Sequence, residues 1–205
     1  MRAWLLNPNT KRVLIALCFL PFALYVYKVF NNDLGPNPAE ALIRGTGDWS
    51  IRLLCIVLLV TPLRVLTNTP ALIRLRRVIG VSVFAYATVH LLCYCGFDME
   101  FEWDDILKDI IKRPFILVGF LGWLFLSMMA LSSNNFAIKR MGVQRWQQLH
   151  KLVYVVAVLA VIHFYWMKSA KHNFKEVIIY ATILGSLLLW RLVRALKARV
   201  QGVRI

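Results

Sequence analysis

Long apolar runs alternate along this chain with short segments that hold most of its charges. A helix needs about 20 apolar residues, with a lower limit of about 17, to cross a hydrocarbon core about 30 Å thick. Six runs approach that length: residues 13–29, 49–65, 78–97, 115–131, 152–167 and 177–193. The pattern therefore predicts an all-α integral membrane protein, a bundle of six transmembrane helices in a single domain that spans residues 1–205.

The composition agrees with a lipid environment. Hydrophobic residues make up 60% of the chain and the mean hydropathy is +0.63, whereas soluble domains contain about 45–50% apolar residues. The net charge of +15 comes from bases distributed between the apolar runs. Because no soluble domain gathers these bases on one surface, the charge does not indicate a nucleic-acid partner.

The distribution of charges predicts the orientation of the helices. If the amino terminus is cytoplasmic, the inside segments carry sixteen of the 25 bases and no acid, and all ten acids lie outside with the other nine bases. Such an excess of inside bases is the positive-inside pattern. We therefore expect a multi-pass protein of the bacterial inner membrane with both termini in the cytoplasm.

One inside segment, residues 71–77, mixes apolar residues with Arg74, Arg76 and Arg77. This mixture is typical of an interfacial helix that contacts anionic membrane lipid. A basic loop that only sets the topology would have the same composition. The sequence leaves both interpretations open.

Two of the four histidines lie inside predicted helices at matching depths. Both helices run outward, so at 1.5 Å per residue His90 lies about 20 Å, and His163 about 18 Å, from the inner basic edge. Two neutral imidazoles on facing helices can coordinate a haem iron from both sides, which leaves electron transfer as the natural chemistry. The alternative is that each histidine only hydrogen-bonds within the bundle.

His150 belongs to a different place in the bundle. At 100° per residue it points about 140° away from His163, so one regular helix does not direct both at the same neighbour. It lies at the inner membrane edge close to Arg145 and Trp146. This composition suits a second haem, a flavin phosphate, a quinone head group or a simple interfacial anchor.

Other residues offer weaker candidates. Met167, one turn beyond His163, is interpreted as a packed methionine and not an axial ligand, and His172 as solvent-exposed. Cys93 and Cys95 suggest a second class of function, a membrane dithiol-quinone oxidoreductase, although C-x-C lacks the spacing of dithiol enzymes. A third class is a non-redox membrane subunit with structural histidines.

Several motifs carry a resemblance to a known family. They are T-P-L-R at 61–64, R-R-V-I-G at 76–80, Y-A-T-V-H-L at 86–91, W-Q-Q-L-H-K-L-V-Y at 146–154 and H-F-Y-W at 163–166. With the six-helix pattern, they resemble the ferric-reductase-like transmembrane family, and within it the haem-binding membrane subunits of bacterial protein-methionine-sulfoxide reductase systems.

The resemblance implies an electron-transfer subunit and not the catalytic one. Electrons from a cytoplasmic flavin reductase or the quinone pool would pass through haem b to a periplasmic molybdenum-containing methionine sulfoxide reductase, which repairs oxidised envelope proteins. Family members are also described as binding FMN. The wider family has paired histidines on both helices, whereas here the third helix has His90 alone.

The expected sites follow from these arguments. The residues assigned to haem iron as axial ligands are His90, His163 and His150. An outer haem about two-thirds of the way across a core of about 30 Å is far from a cytoplasmic donor, so we expect a second cofactor, haem or FMN, near the inner edge. The residues assigned to it are Arg145, Trp146, Arg74, Arg76 and Arg77.

Overall fold

The computed structural model describes residues 7–169 and 172–200, and within these ranges the chain forms helices and no strand. Six helices are long and apolar enough to cross a membrane, which confirms the predicted bundle. The side of the membrane on which each terminus lies stays a prediction. The sixteen bases expected on the cytoplasmic side include Arg2 and Arg204, which do not belong to the described residues.

Of the α-helices in this described part of the chain, six are long enough to span the membrane and three are short. The spanning helices are α1 (Pro8–Phe30), α2 (Pro38–Leu66), α3 (Leu75–Cys93), α5 (Pro114–Leu131), α8 (Leu152–Ser169) and α9 (Lys175–Val200). The short ones are α4 (Trp103–Lys112), α6 (Asn135–Met141) and α7 (Val143–Leu149). A 3₁₀ turn, Pro70–Arg74, leads directly into α3, and a π-helical turn, Tyr94–Asp98, continues it.

Helix α2 begins eleven residues before the apolar run that predicts it, at residue 38 and not 49. The side chain of Asn37 caps the helix by accepting a hydrogen bond from the backbone N–H of Glu40 at 3.0 Å, and Pro38 occupies the first turn, where its missing N–H costs nothing. Glu40 also pairs with Arg44 one turn later. Hydropathy alone misses this first polar part of the helix because it detects only the lipid-facing length.

Five of the spanning helices pack into a closed ring. Helix α2 packs against α3 and α9, α3 against α5, α5 against α8, and α8 against α9. Helix α1 lies outside the ring against α2 and α3. The core is richest in buried residues of α2, including Leu54 and Leu58. This arrangement leaves the inner faces of α3, α5 and α8 directed toward one another.

A hydroxyl group joins α1 to the ring. Tyr86 of α3 is 2% exposed, and its hydroxyl donates to the carbonyl of Cys18 at 2.9 Å while accepting from the N–H of Phe22 at 3.0 Å. These two backbone groups, one helical turn apart, flank Pro21, which lies inside α1. The tyrosine is thus inserted into the hydrogen-bond ladder of α1 at the point that the proline weakens.

The acidic segment before α5 forms a helix of its own. Asp109 of α4 is buried, accepting a hydrogen bond from the Tyr94 hydroxyl at 2.6 Å and pairing with Arg113 at 2.5 Å. These contacts attach α4 to the end of α3. They also hold Arg113 at the acidic end of the bundle, beside the cavity described below.

Candidate functional site

Two histidines face each other across the interior of the ring. His90 of α3 and His163 of α8 have ring centres 6.1 Å apart and ring planes at 83°. They lie at the same depth, as expected for parallel helices that rise equally from the basic end. The structure therefore brings together the two residues that sequence spacing pairs.

Each of these histidines is held by a backbone carbonyl. Nδ1–H of His90 donates to the oxygen of Ile43 in α2 at 2.8 Å, and Nδ1–H of His163 donates to the oxygen of Phe115 in α5 at 2.7 Å. A carbonyl only accepts, so the proton of the neutral ring is on Nδ1. Nε2 keeps its lone pair, and within the described residues it has no hydrogen-bond partner in either ring.

Two glycines allow the rings to approach these carbonyls. Gly47 and Gly119 lie one turn after the accepting residues Ile43 and Phe115, respectively. A Cβ at Gly47 would be 3.1 Å from Nδ1 of His90, and one at Gly119 would be 2.8 Å from Nδ1 and Cε1 of His163. Sequence reasoning did not single out either glycine. A signal existed, because small residues in membrane helices mark close packing.

A cavity of about 390 Å³ adjoins both rings. This volume lies within the roughly 300–1,000 Å³ of small-molecule and cofactor sites. Most of its lining is apolar and comes from α2, α3, α5 and α8. Among the apolar lining residues are Leu54, Val83, Ala87, Ile116, Phe120, Leu126, Val156, Leu159 and Phe164.

Charged side chains gather at the acidic end of the same cavity. Arg44, Arg113 and Lys168 line it. So do Asp48, Asp98 and Glu176, of which Glu176 accepts from Lys168 at 2.7 Å. The cavity is therefore apolar around the histidines and charged at its mouth.

His150 lies outside this cavity. It follows α7, and the residues His150 and Lys151 interrupt the helix before α8 begins. The N–H groups of Lys151, Val153 and Tyr154 bond to the carbonyl three residues back, as in a 3₁₀ turn. Its Nδ1 is 3.0 Å from the carbonyl oxygen of Trp146 and its Nε2 is 3.3 Å from the Ser133 hydroxyl. The Trp146 ring lies against it, with centres 4.0 Å apart. His150 therefore contacts Ser133 and Trp146 and not the cavity that adjoins His163.

The residues assigned to an inner cofactor are only partly brought together. Arg77 donates to the Ser133 carbonyl at 2.5 Å, and the Trp146 indole N–H donates to the Ser132 carbonyl at 3.1 Å. With His150 they therefore meet at the connection between α5 and α6. Arg76 of α3 lies close enough to His150 for their charges to interact, lines a small cleft with Arg77 and Ser133, and is also near Arg64 and Tyr154. The remaining two, Arg74 and Arg145, are exposed and do not join this group.

The weaker candidates have ordinary positions. Met167 lines the cavity. His172 is exposed and has a positive φ of 48°. All four cysteines are free, and Cys95 is buried. No cluster of three or more His, Cys, Asp or Glu side chains suited to a metal ion occurs within residues 7–169 and 172–200.

The separation of the two histidine rings matches that of two imidazoles that share one metal ion. Ring nitrogens that each lie about 2.0 Å from one metal ion place imidazole centres roughly 6 Å apart. The observed separation is 6.1 Å. The hydrogen bond on the other nitrogen of each ring is the support that metal-binding histidines usually have.

Comparison with known proteins identifies the family. The family model described as the ferric reductase like transmembrane component matches residues 46–161, more than half of the chain. The MsrQ haem-binding subunit of the protein-methionine-sulfoxide reductase of Polaromonas naphthalenivorans is 54% identical over 188 residues, which cover 92% of this chain and 86% of that protein. The chain belongs to the MsrQ family.

Further members of the MsrQ family support this assignment. The haem-binding subunit of Herminiimonas arsenicoxydans is 44% identical, with 92% of this chain and 87% of that protein covered. That of Caulobacter vibrioides is 42% identical, with 85% and 82% covered. No solved structure matches the chain. The resemblance inferred from the motifs is therefore confirmed, and the chain is a multi-pass membrane protein.

Proposed function

We propose that this chain is the haem-binding electron-transfer subunit of a protein-methionine-sulfoxide reductase system in the bacterial inner membrane. The observation that carries the proposal is the pair His90 and His163, whose rings lie 6.1 Å apart beside a cavity of about 390 Å³. Both imidazoles would be axial ligands of haem b. MsrQ relatives named as haem-binding subunits support the choice of cofactor.

The surrounding residues prepare this site. The carbonyls of Ile43 and Phe115 hold each imidazole in one tautomer and orientation and raise the basicity of Nε2. The apolar lining excludes water, and Arg44 and Arg113 at the mouth suit the carboxylates of a porphyrin. A haem with both axial positions closed by side chains supplies one-electron transfer in place of ligand activation.

The partners follow from the family and the topology. Electrons would enter from a cytoplasmic flavin reductase or the quinone pool and leave to a periplasmic molybdenum-containing methionine sulfoxide reductase. The histidine pair lies nearer the acidic end of the bundle, where α3 and α8 end, and the positive-inside pattern predicts that this end is periplasmic. The single transmembrane domain would thus deliver electrons near the outer surface.

An inner centre would complete the path across the membrane. We assign it, as a second haem or FMN, to the basic region that contains His150, Arg145, Trp146, Arg74, Arg76 and Arg77. The meeting of Arg77, Trp146 and His150 at the connection between α5 and α6 supports this location. Guanidinium groups suit a flavin phosphate or a haem propionate.

The direct test is a reduced-minus-oxidised absorption spectrum of the purified chain with haem quantification. We expect the bands of a low-spin b-type haem in the unaltered protein, and their loss in His90→Ala and His163→Ala, because each removes one axial ligand. His172→Asn is the matched control, since it removes an exposed histidine and asparagine tolerates the positive φ there. A full low-spin spectrum in either alanine variant would refute the pairing.

A further inference from the structure

Three arginines from three helices meet near the basic end of the bundle. They are Arg64 of α2, Arg76 of α3 and Arg191 of α9, and all three are half-buried. Arg76 is close enough to both of the others for their charges to repel. Like charges held together in a protein interior are unfavourable unless something balances them.

The chain itself does not supply that balance. All ten acids lie in residues 33–48 and 98–109 and at Glu176, toward the opposite end of the helices. The nearest acid along α2 is Asp48, sixteen residues before Arg64, which corresponds to about 24 Å of helix. Within the described part of the chain the positive charge of the three guanidinium groups therefore has no balancing anion.

Two buried polar atoms at the same place lack a hydrogen-bond partner. They are Thr61 Oγ1 and Arg64 Nε, the two buried side-chain atoms without a partner in the described part of the chain. Residues three apart share one face of a helix, so both atoms lie on the same side of α2. Because an unpaired buried polar atom is costly, each one indicates a polar group that residues 7–169 and 172–200 do not supply.

Arg191 is held in position beside this face. Pro62 has no N–H, so it leaves the carbonyl of Leu58, one turn earlier in α2, without its helical donor. Arg191 donates to that carbonyl and to the carbonyl of Leu187 at 2.9 Å. Its guanidinium carbon lies 5.8 Å from the ring centre of Tyr154 in α8. A guanidinium has five N–H donors, so others remain available.

We propose that Arg64, Arg76 and Arg191 hold the phosphate group of an anionic phospholipid. The planar forks of arginine match phosphate oxygens, and basic sites between membrane helices bind lipid head groups. A lipid is favoured over a soluble phosphate because side chains beside the arginines are exposed along the length of a spanning helix: Tyr154 is 37% exposed, and Val158, one turn along α8, is 49% exposed. This site is separate from the histidine pair, and it shares only Arg76 with the region assigned to the inner centre.

The test measures lipid binding to the purified full-length chain in detergent by native mass spectrometry. Phosphatidylglycerol, phosphatidylcholine and inorganic phosphate are titrated separately. We expect phosphatidylglycerol to bind preferentially, and Arg64→Gln to weaken it about tenfold or more because one charged hydrogen-bonding group is lost. Arg64→Lys keeps the charge without the fork and should give an intermediate loss.

The matched control is Arg194→Gln, which removes one positive charge from the same region of α9. Arg194 stacks over Trp190 at 4.9 Å, and its removal should leave lipid affinity unchanged. Equal phosphatidylglycerol affinity in the unaltered chain and in Arg64→Gln would overturn the proposal. Displacement of the lipid by inorganic phosphate would assign the site to a soluble phosphate compound instead. Loss of haem together with lipid in both Arg64 variants would assign it to the cofactor.

Discussion

Replacing Gly119 by alanine tests whether the haem site depends on close contact between a ring and a helix. The new Cβ would lie 2.8 Å from Nδ1 and Cε1 of His163, whereas ordinary contacts begin at 3.4 Å. The ring must therefore move by about 0.6 Å, the difference between 3.4 and 2.8 Å. Its hydrogen bond to the Phe115 carbonyl, at 2.7 Å, opposes that movement.

The displacement is large for a metal ligand. Coordination distances in a sound site stay within about 0.2 Å of their ideal values, so a shift of 0.6 Å lengthens or breaks the bond to iron. Overpacking a tight site costs about 1–3 kcal/mol, which corresponds to roughly 5- to 150-fold weaker haem binding. At Gly47 the same substitution requires 3.4 minus 3.1, or 0.3 Å, at His90, and should have a smaller effect.

The assay is titration of apoprotein in detergent with haem, followed by the Soret band and by electron paramagnetic resonance for the low-spin signal. The control is Gly185→Ala in α9, where a Cβ meets no atom within 4 Å. Alanine favours a helix more than glycine does, so loss of haem would not reflect a weakened helix. Wild-type affinity and a full low-spin signal in Gly119→Ala would refute the assignment of His163.

Three further predictions follow from the contacts. Tyr86→Phe should destabilise the protein by about 1–3 kcal/mol, because the backbone groups of Cys18 and Phe22 lose their shared hydrogen-bond partner. The thermal midpoint should fall while the haem spectrum stays unchanged, and an unchanged midpoint would contradict the prediction. Gly122→Leu should lower the haem content, since Gly122 lines the cavity and is open to it; full occupancy would show that the cavity is not the binding site. His150→Ala should slow reduction from the basic side while some haem remains, and complete loss would mean that His150 is a ligand of the outer haem.

The sequence alone determined the number of spanning helices and the depth of the histidines. A bilayer sets the length of each apolar run, and an α-helix rises by a constant 1.5 Å per residue. For that reason the spacing from the basic edges to His90 and His163 sufficed to predict that they lie at one level. The motifs around them sufficed to predict the family.

Polar features at helix ends were harder to predict. Helix α2 begins at Pro38 because the side chain of Asn37 caps it by accepting from the N–H of Glu40. The acidic segment before α5 forms α4 because the buried Asp109 is paired there. Hydropathy does not detect either feature. The sequence N-P-A-E at 37–40 is a capping signal that would have placed the start of the predicted helix at Pro38.

The lateral arrangement of the helices was decided only by the tertiary structure. In lipid, apolar side chains lack a hydrophobic driving force that selects one face, so close packing and hydrogen bonds between helices select it. The contacts of Gly47 and Gly119 with the two rings depend on that packing. So does the meeting of Arg64, Arg76 and Arg191, which are 12 and 115 residues apart in sequence and come together because α2, α3 and α9 are neighbours.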